Sequence, residues 1–285
     1  MQRANLVVAA LFVTGTLAGA TPSHAQATLG VDLGAFSSYV WRGITYTNKF
    51  VLQPDLYVTV PAGGASLTAG GWFNIEPGKY NGASDISEGG GQSSFDVAEF
   101  DWWGEVGYPV GKVTLTGGVT GYRFPNNAGF TKIFNTVEIY GKAALDAPLS
   151  PKLAAWYDVD KVKGAYFEGS ISHSLPATEK VSVTLGALAG FSAGQGAKAG
   201  EFNNFVDNGF THLDLSAAVP FSAGPLSFSP ALHVVITGDE NTKFTKIDPA
   251  TGLPNSKDVK LWGGVTISWS KALGKEPEAT EEPKP

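Results

Sequence analysis

The sequence has 285 residues, with 20 basic and 26 acidic side chains, a formal charge of −6 and no cysteine. An acidic balance argues against nucleic acid as a partner. The missing cysteines exclude disulfides, thiolate metal sites and an anchor through an acylated cysteine, and no cofactor is expected.

The chain opens MQRANLVVAALFVTGTLAGATPSHAQA, with Arg3, an apolar run from Leu6 to about Ala20, and small residues at Ala25 and Ala27. This pattern predicts a secretory leader over 1–27. Its apolar run is too short, and too soon followed by Pro22, for a spanning helix. Without Arg3 the balance becomes 19 basic against 26 acidic residues, or 19 − 26 = −7. No later segment reaches the roughly 18 consecutive apolar residues of a transmembrane helix, so any membrane span must be built from strands.

Twelve stretches alternate apolar and polar residues: 29–42, 51–60, 65–76, 97–109, 112–124, 133–147, 152–160, 164–175, 180–192, 209–219, 225–238 and 258–270. Most exceed the five or six residues typical of soluble strands and match the roughly 9–11 needed to cross a bilayer at a tilt. Tight turns are signalled by PAGG at 61–64, PVGK at 109–112, PLSPK at 148–152, PATEK at 176–180 and PFSAGP at 220–225. Longer polar links alternate with them at 43–50, 77–96, 125–132, 193–208 and 239–257, and DKVKG at 160–164 is the short exception. Short turns at one rim and long loops at the other predict an all-β, antiparallel up-and-down barrel of about twelve strands over 28–270, set in the outer membrane of a Gram-negative cell. A Pro- and Glu-rich tail over 271–285 is expected to be disordered.

Parity assigns the faces. Leu29, Val31, Leu33, Ala35, Tyr39 and Trp41 of the first stretch fall outward, with Asp32 and Arg42 inward. In EFDWWGEVGY, Trp102, Val106 and Tyr108 face lipid while Glu99, Asp101, Trp103 and Glu105 face the lumen. Aromatic residues near the strand ends, among them Tyr39, Trp41, Phe73, Tyr108, Phe124, Tyr140, Trp156, Tyr157, Phe167, Phe210, Phe228 and Trp269, are expected to form two girdles at headgroup level. The partners implied are outer-membrane lipid and lipopolysaccharide outside the ring and small solutes inside it.

SSYVWRGITYTNKFVLQPDLYVTV, GGWFN and AAWYDVDKVKGAYFEGSISHSLP together resemble the outer-membrane porins grouped as TorF-like. Trp41-Arg42-Gly43 occupies the place of that family's aromatic-Arg-Gly segment. Tyr157-Asp158-Val159-Asp160 and Gly164-Ala165-Tyr166 occupy those of its Tyr-Asp-x-Asp and Gly-x-Tyr elements. The resemblance implies porin-like passage through the outer membrane without naming a solute. The C-terminus departs from the aromatic ending common in such barrels, because Trp269 is followed by KALGKEPEATEEPKP.

Inward parity collects Asp32, Asp55, Glu76, Glu99, Asp101, Glu105, Glu138, Asp158, Asp160, Glu168 and Asp214 against Arg42, Lys142 and Lys260. Such a wall either concentrates cations in a diffusion pore for small hydrophilic solutes or forms a paired network that holds a closed, structural barrel in shape. Twelve strands leave only a narrow bore, and the loop 77–96 is the expected plug. Arg42 reads either as a cation at a constriction or as a structural ion pair. Asp158 and Asp160 fall short of the six to eight oxygens that Ca²⁺ takes. His212 and Asp214, both inward near the outer rim, carry the alternative of an outer-membrane hydrolase; His173, beside two serines, faces outward.

Overall fold

The computed structural model describes residues 26–126, 135–178, 181–196, 203–247 and 254–274. The expected leader, apart from its last two residues, and the tail beyond 274 lie outside the described residues.

The strands are β1 (Ala27–Phe36), β2 (Tyr39–Trp41), β3 (Ile44–Thr47), β4 (Val51–Ala62), β5 (Ala65–Glu76), β6 (Asp96–Val110), β7 (Val113–Arg123), β8 (Thr136–Leu145), β9 (Lys152–Asp158), β10 (Ala165–Pro176), β11 (Ser182–Ala193), β12 (Gly209–Ala218), β13 (Phe221–Ala223), β14 (Leu226–Thr237), β15 (Phe244–Ile247), β16 (Pro254–Lys257) and β17 (Val259–Leu273). Twelve of them, all but β2, β3, β13, β15 and β16, pair antiparallel in one closed ring. The first strand joins the last, with Val31 opposite Trp269 and Asp32 opposite Ser268, and β12 joins β14 directly. Closure removes the unpaired edges that long apolar strands would otherwise expose.

The two-residue alternation sets what the ring shows on each side. In β6, Val106 and Tyr108 are exposed on the outside, while Glu99 and Asp101 are buried on the inside. Trp102 faces out and Trp103 faces in, its Nε1–H donating to Asp55 Oδ1 at 3.2 Å. The short turns follow from backbone chemistry: Ala62 pairs with Ala65 across Gly63 and Gly64, whose φ values of 57° and 89° suit glycine in a two-residue hairpin.

The expected first strand, 29–42, divides. The ladder stops at Phe36, Ser37 N–H donates to the Gly263 carbonyl at 2.9 Å, and the chain turns into the barrel as the hairpin β2–β3. From there it contacts β6, β8 and β17, and Gly43 lies against His212 of β12. Only a segment inside the ring can reach four such separated walls. Tyr39 and Trp41, expected on the lipid face, are therefore luminal: Tyr39 is 3% exposed, and Trp41 packs on Tyr46 and Tyr122. Parity misled here because YVW is apolar on both faces, which marks a strand covered on both sides.

The packed core sits inside the ring. Phe36, Tyr39, Val40, Val51, Val235 and Trp262 form one cluster, and Tyr140, Trp156, Tyr166 and Phe205 a second, with Trp41 and Ile44 of the hairpin packed against them. Tyr140 and Trp156, expected in a girdle, belong to this core, and Phe124 lines an inner cavity. Tyr108, Tyr157, Phe167 and Phe210 are exposed on the outside, where amphipathic rings suit the headgroup level.

Candidate functional site: the lumen and its inward hairpin

The hairpin tip is a two-residue turn closed by Trp41 opposite Ile44, with Arg42 at φ 49° and Gly43 at φ 84°. A left-handed non-glycine residue is strained unless its surroundings fix it. They do so through the guanidinium. Arg42 Nη1 and Nη2 donate to Glu138 Oε1 and Oε2 at 2.8 and 2.6 Å, a bidentate pair fully buried between β8 and the hairpin. The Arg42 Cζ lies 4.1 Å from the centroid of the Trp41 ring, 4.3 Å from that of Tyr166 and 5.2 Å from that of Trp156. Tyr122 Oη donates to Glu138 Oε2 at 2.8 Å, so both carboxylate oxygens are engaged. Gly43 is needed for space as well as for φ, since a Cβ there would lie 2.6 Å from His212 Cγ.

The remaining acids fall into separate groups. Tyr39 Oη donates to Glu99 at 2.8 Å, with Asp101 buried beside it, and Thr47 Oγ1 donates to Glu76 at 2.6 Å. Glu76 also accepts the Ser87 hydroxyl and the Glu88 N–H, at 2.5 and 2.9 Å, which draws loop 77–95 onto the hairpin. The expected plug thus contributes Ile86, Ser87 and Glu88, while the element filling the bore is β2–β3. Asn74 Nδ2 donates to Glu88 at 2.7 Å; burial, and next the Glu99 carboxylate, pushes the Glu88 acid well above the usual carboxylate range.

Glu105 pairs with Lys142 at 3.1 Å and accepts Tyr140 Oη at 2.9 Å. Glu168 accepts Tyr166 Oη at 3.1 Å, and Lys260 donates to Thr45 Oγ1 of the hairpin at 2.9 Å. Asp158 Oδ1 accepts the backbone N–H groups of Asp160, Val162 and Lys163, and its Oδ2 accepts Thr136 Oγ1 at 2.6 Å. That carboxylate organises the tight 159–164 turn. Asp160, expected inward, stands beyond β9 and is half exposed beside Lys161. Of the acids expected inward, Asp32 and Asp55 stand opposite each other on the paired strands β1 and β4.

His212 and Asp214 both point inward, yet they form no mutual hydrogen bond. Asp214 instead meets His233 Nδ1 of β14 at 3.1 Å, and His233 stacks on Trp262 at 4.1 Å. His212 Nδ1 meets Thr211 Oγ1 at 3.1 Å. The Asp214–His233 contact is diagonal, because Asp214 stands opposite Val235 and His233 opposite Ser216. Sequence reasoning missed His233, although its inward parity is legible, because the β12–β14 register is not.

At the long-loop end the hairpin, the Ile86–Glu88 segment, β6–β8 and the loop tips enclose a cavity of about 510 Å³. Its lining is aromatic and amide-rich, with Tyr46, Trp41, Tyr122 and Phe124 on the inner side and Asn203, Asn204 and Asn241 at the rim.

No family model and no curated protein matches this chain. Solved structures do match in fold. An outer-membrane channel from Pseudomonas putida F1 is 12% identical, with a TM-score of 0.52 over 88% of this chain and 97% of that one. LpxR from Salmonella typhimurium is 9% identical, with a TM-score of 0.50 over 85% and 99%. At such identities the likeness is one of architecture: this chain has an outer-membrane-type β-barrel fold.

Proposed function

We propose that this chain is an outer-membrane channel for passive diffusion of small hydrophilic solutes, of the TorF-like porin kind, exported by a leader over 1–27 and surrounded by outer-membrane lipid and lipopolysaccharide. The observation that carries the reading is the closed ring, with exposed apolar side chains outside and most of the buried charged side chains inside, beside an aromatic core. Asp32, Asp55, Glu168 and Asp214, facing inward without a lysine or arginine ion pair among the described residues, support a cation preference. The path is narrowed from the long-loop side by the hairpin β2–β3. Recording from the purified protein in a planar bilayer tests this: discrete conductance steps with a cation-selective reversal potential are expected in a salt gradient. Anion selectivity would remove the preference, and silence at all voltages the channel.

A second reading is a closed structural barrel, favoured by one observation: the Arg42–Glu138 pair anchors the hairpin inside the bore. It predicts silence in the same recording, both in the native protein and after the hairpin is released.

A further inference from the structure

We infer that the cavity at the long-loop end is a binding site for an uncharged polyhydroxylated solute, a sugar of one or a few rings. The inference rests on the channel reading for its biological sense and on the cavity's chemistry for its ligand class. At about 510 Å³ the space falls inside the ~300–1,000 Å³ of small-molecule sites.

The charged groups around it are already engaged. Both Glu138 oxygens are held by Arg42 and Tyr122, and Glu99 accepts Tyr39 Oη. Glu88 accepts Asn74 Nδ2, and its burial favours the neutral acid. At the rim Lys161 leans on Asp160 at 3.5 Å. An anion entering here would lose water and meet at the rim only Lys161, already beside Asp160, while a cation would have to compete with the hydroxyl and amide donors that Glu99 and Glu88 already hold.

The groups left open are neutral. Tyr46 makes ring contacts with Tyr39 and Trp41, but among the described residues its hydroxyl has no hydrogen-bond partner. Asn204 donates through Nδ2 to Gln195 and Asn241 through Nδ2 to the Asn204 carbonyl, which leaves both side-chain carbonyl oxygens available. Open hydroxyl and amide groups in one cavity lined also by Trp41, Tyr122 and Phe124 suit a molecule whose C–H faces stack on rings while its hydroxyls bond to the open polar groups. Phe124, carrying no polar atom, extends the apolar wall.

Isothermal titration of the full chain in detergent tests the site, with glucose, maltose, sucrose and N-acetylglucosamine as uncharged probes, tetraethylammonium as the cation and glucuronate as the anion. At least one uncharged sugar is expected to bind more tightly than either ion. Tyr46→Phe, which keeps the ring and removes only the open hydroxyl, should weaken that sugar about three- to tenfold, with Asn241→Ala acting in the same direction. Heat-dependent gel mobility confirms that each variant still closes its barrel. Binding by none of the sugars, tighter binding of either ion, or undiminished sugar binding in both variants would each overturn the assignment. Conductance measured without sugar reports on the channel separately: a conducting protein that ignores sugars loses only this site, and a silent one that binds them loses only the channel.

Discussion

Replacing Arg42 by alanine should free the hairpin from the lumen while leaving the barrel closed. The substitution strands Glu138, 1% exposed, with one hydroxyl donor in place of three contacts. Deleting one partner of a buried pair costs about 3–5 kcal/mol, and loss of the stacked rings around the guanidinium adds ~0.5–2 kcal/mol. The hairpin contributes no strand pairing to the ring, since β2 and β3 pair with each other and lie between β1 and β4, which pair directly. Its docking is therefore a local stability, smaller than that of the whole fold, and a loss of this size should exceed it. Hydrogen exchange over residues 39–47 reads the release directly, and single-channel conductance should rise in a step. The variant Arg42→Ala/Glu138→Ala removes the orphaned charge, so it should retain more docking than Arg42→Ala alone, a coupling that a double-mutant cycle measures. Unchanged protection and conductance in Arg42→Ala would refute the idea that this pair holds the hairpin.

Gly43→Ala should undock the same hairpin by a different route, costing about 1–3 kcal/mol through its left-handed backbone, with a Cβ 2.6 Å from His212 Cγ, and exchange over 39–47 would report it. Docking of loop 77–95 should weaken as pH rises. The Glu88 acid is raised in the folded protein, so its protonated form is favoured there: docking is strongest below the unfolded value of 4.5, and the advantage is lost as pH climbs through the folded value. Glu88→Gln should flatten that dependence, with exchange of residues 86–91 at pH 5 and pH 8, corrected for intrinsic rates, as the readout. On the lipid face, Leu56→Arg at the middle of β4 should cost about 2–4 kcal/mol in bilayer unfolding, whereas Asp55→Asn next to it should leave folding nearly unchanged and reduce cation selectivity.

The ring was legible in the sequence because each strand of a closed ring with an apolar outer face must alternate along its own length. Eleven of the expected strands match observed ones closely, and Trp102 and Trp103 take the sides their parity assigns. Period and turn chemistry are local, so neighbouring residues suffice to state them. The lumen was legible only as a set of inward acids. Which base meets which acid depends on contacts across the bore, such as Arg42 with Glu138, 96 positions apart, or Lys260 with Thr45, 215 apart. The same limit hid the inward turn after Phe36, since an apolar strand covered by lipid and one covered by protein on both faces read alike. Sequence by itself determined that this chain closes a barrel with a polar interior. Tertiary structure alone decided that the hairpin after β1 folds into the interior, because occupation of a bore is settled by side chains meeting across it, and no periodicity along one strand encodes that meeting.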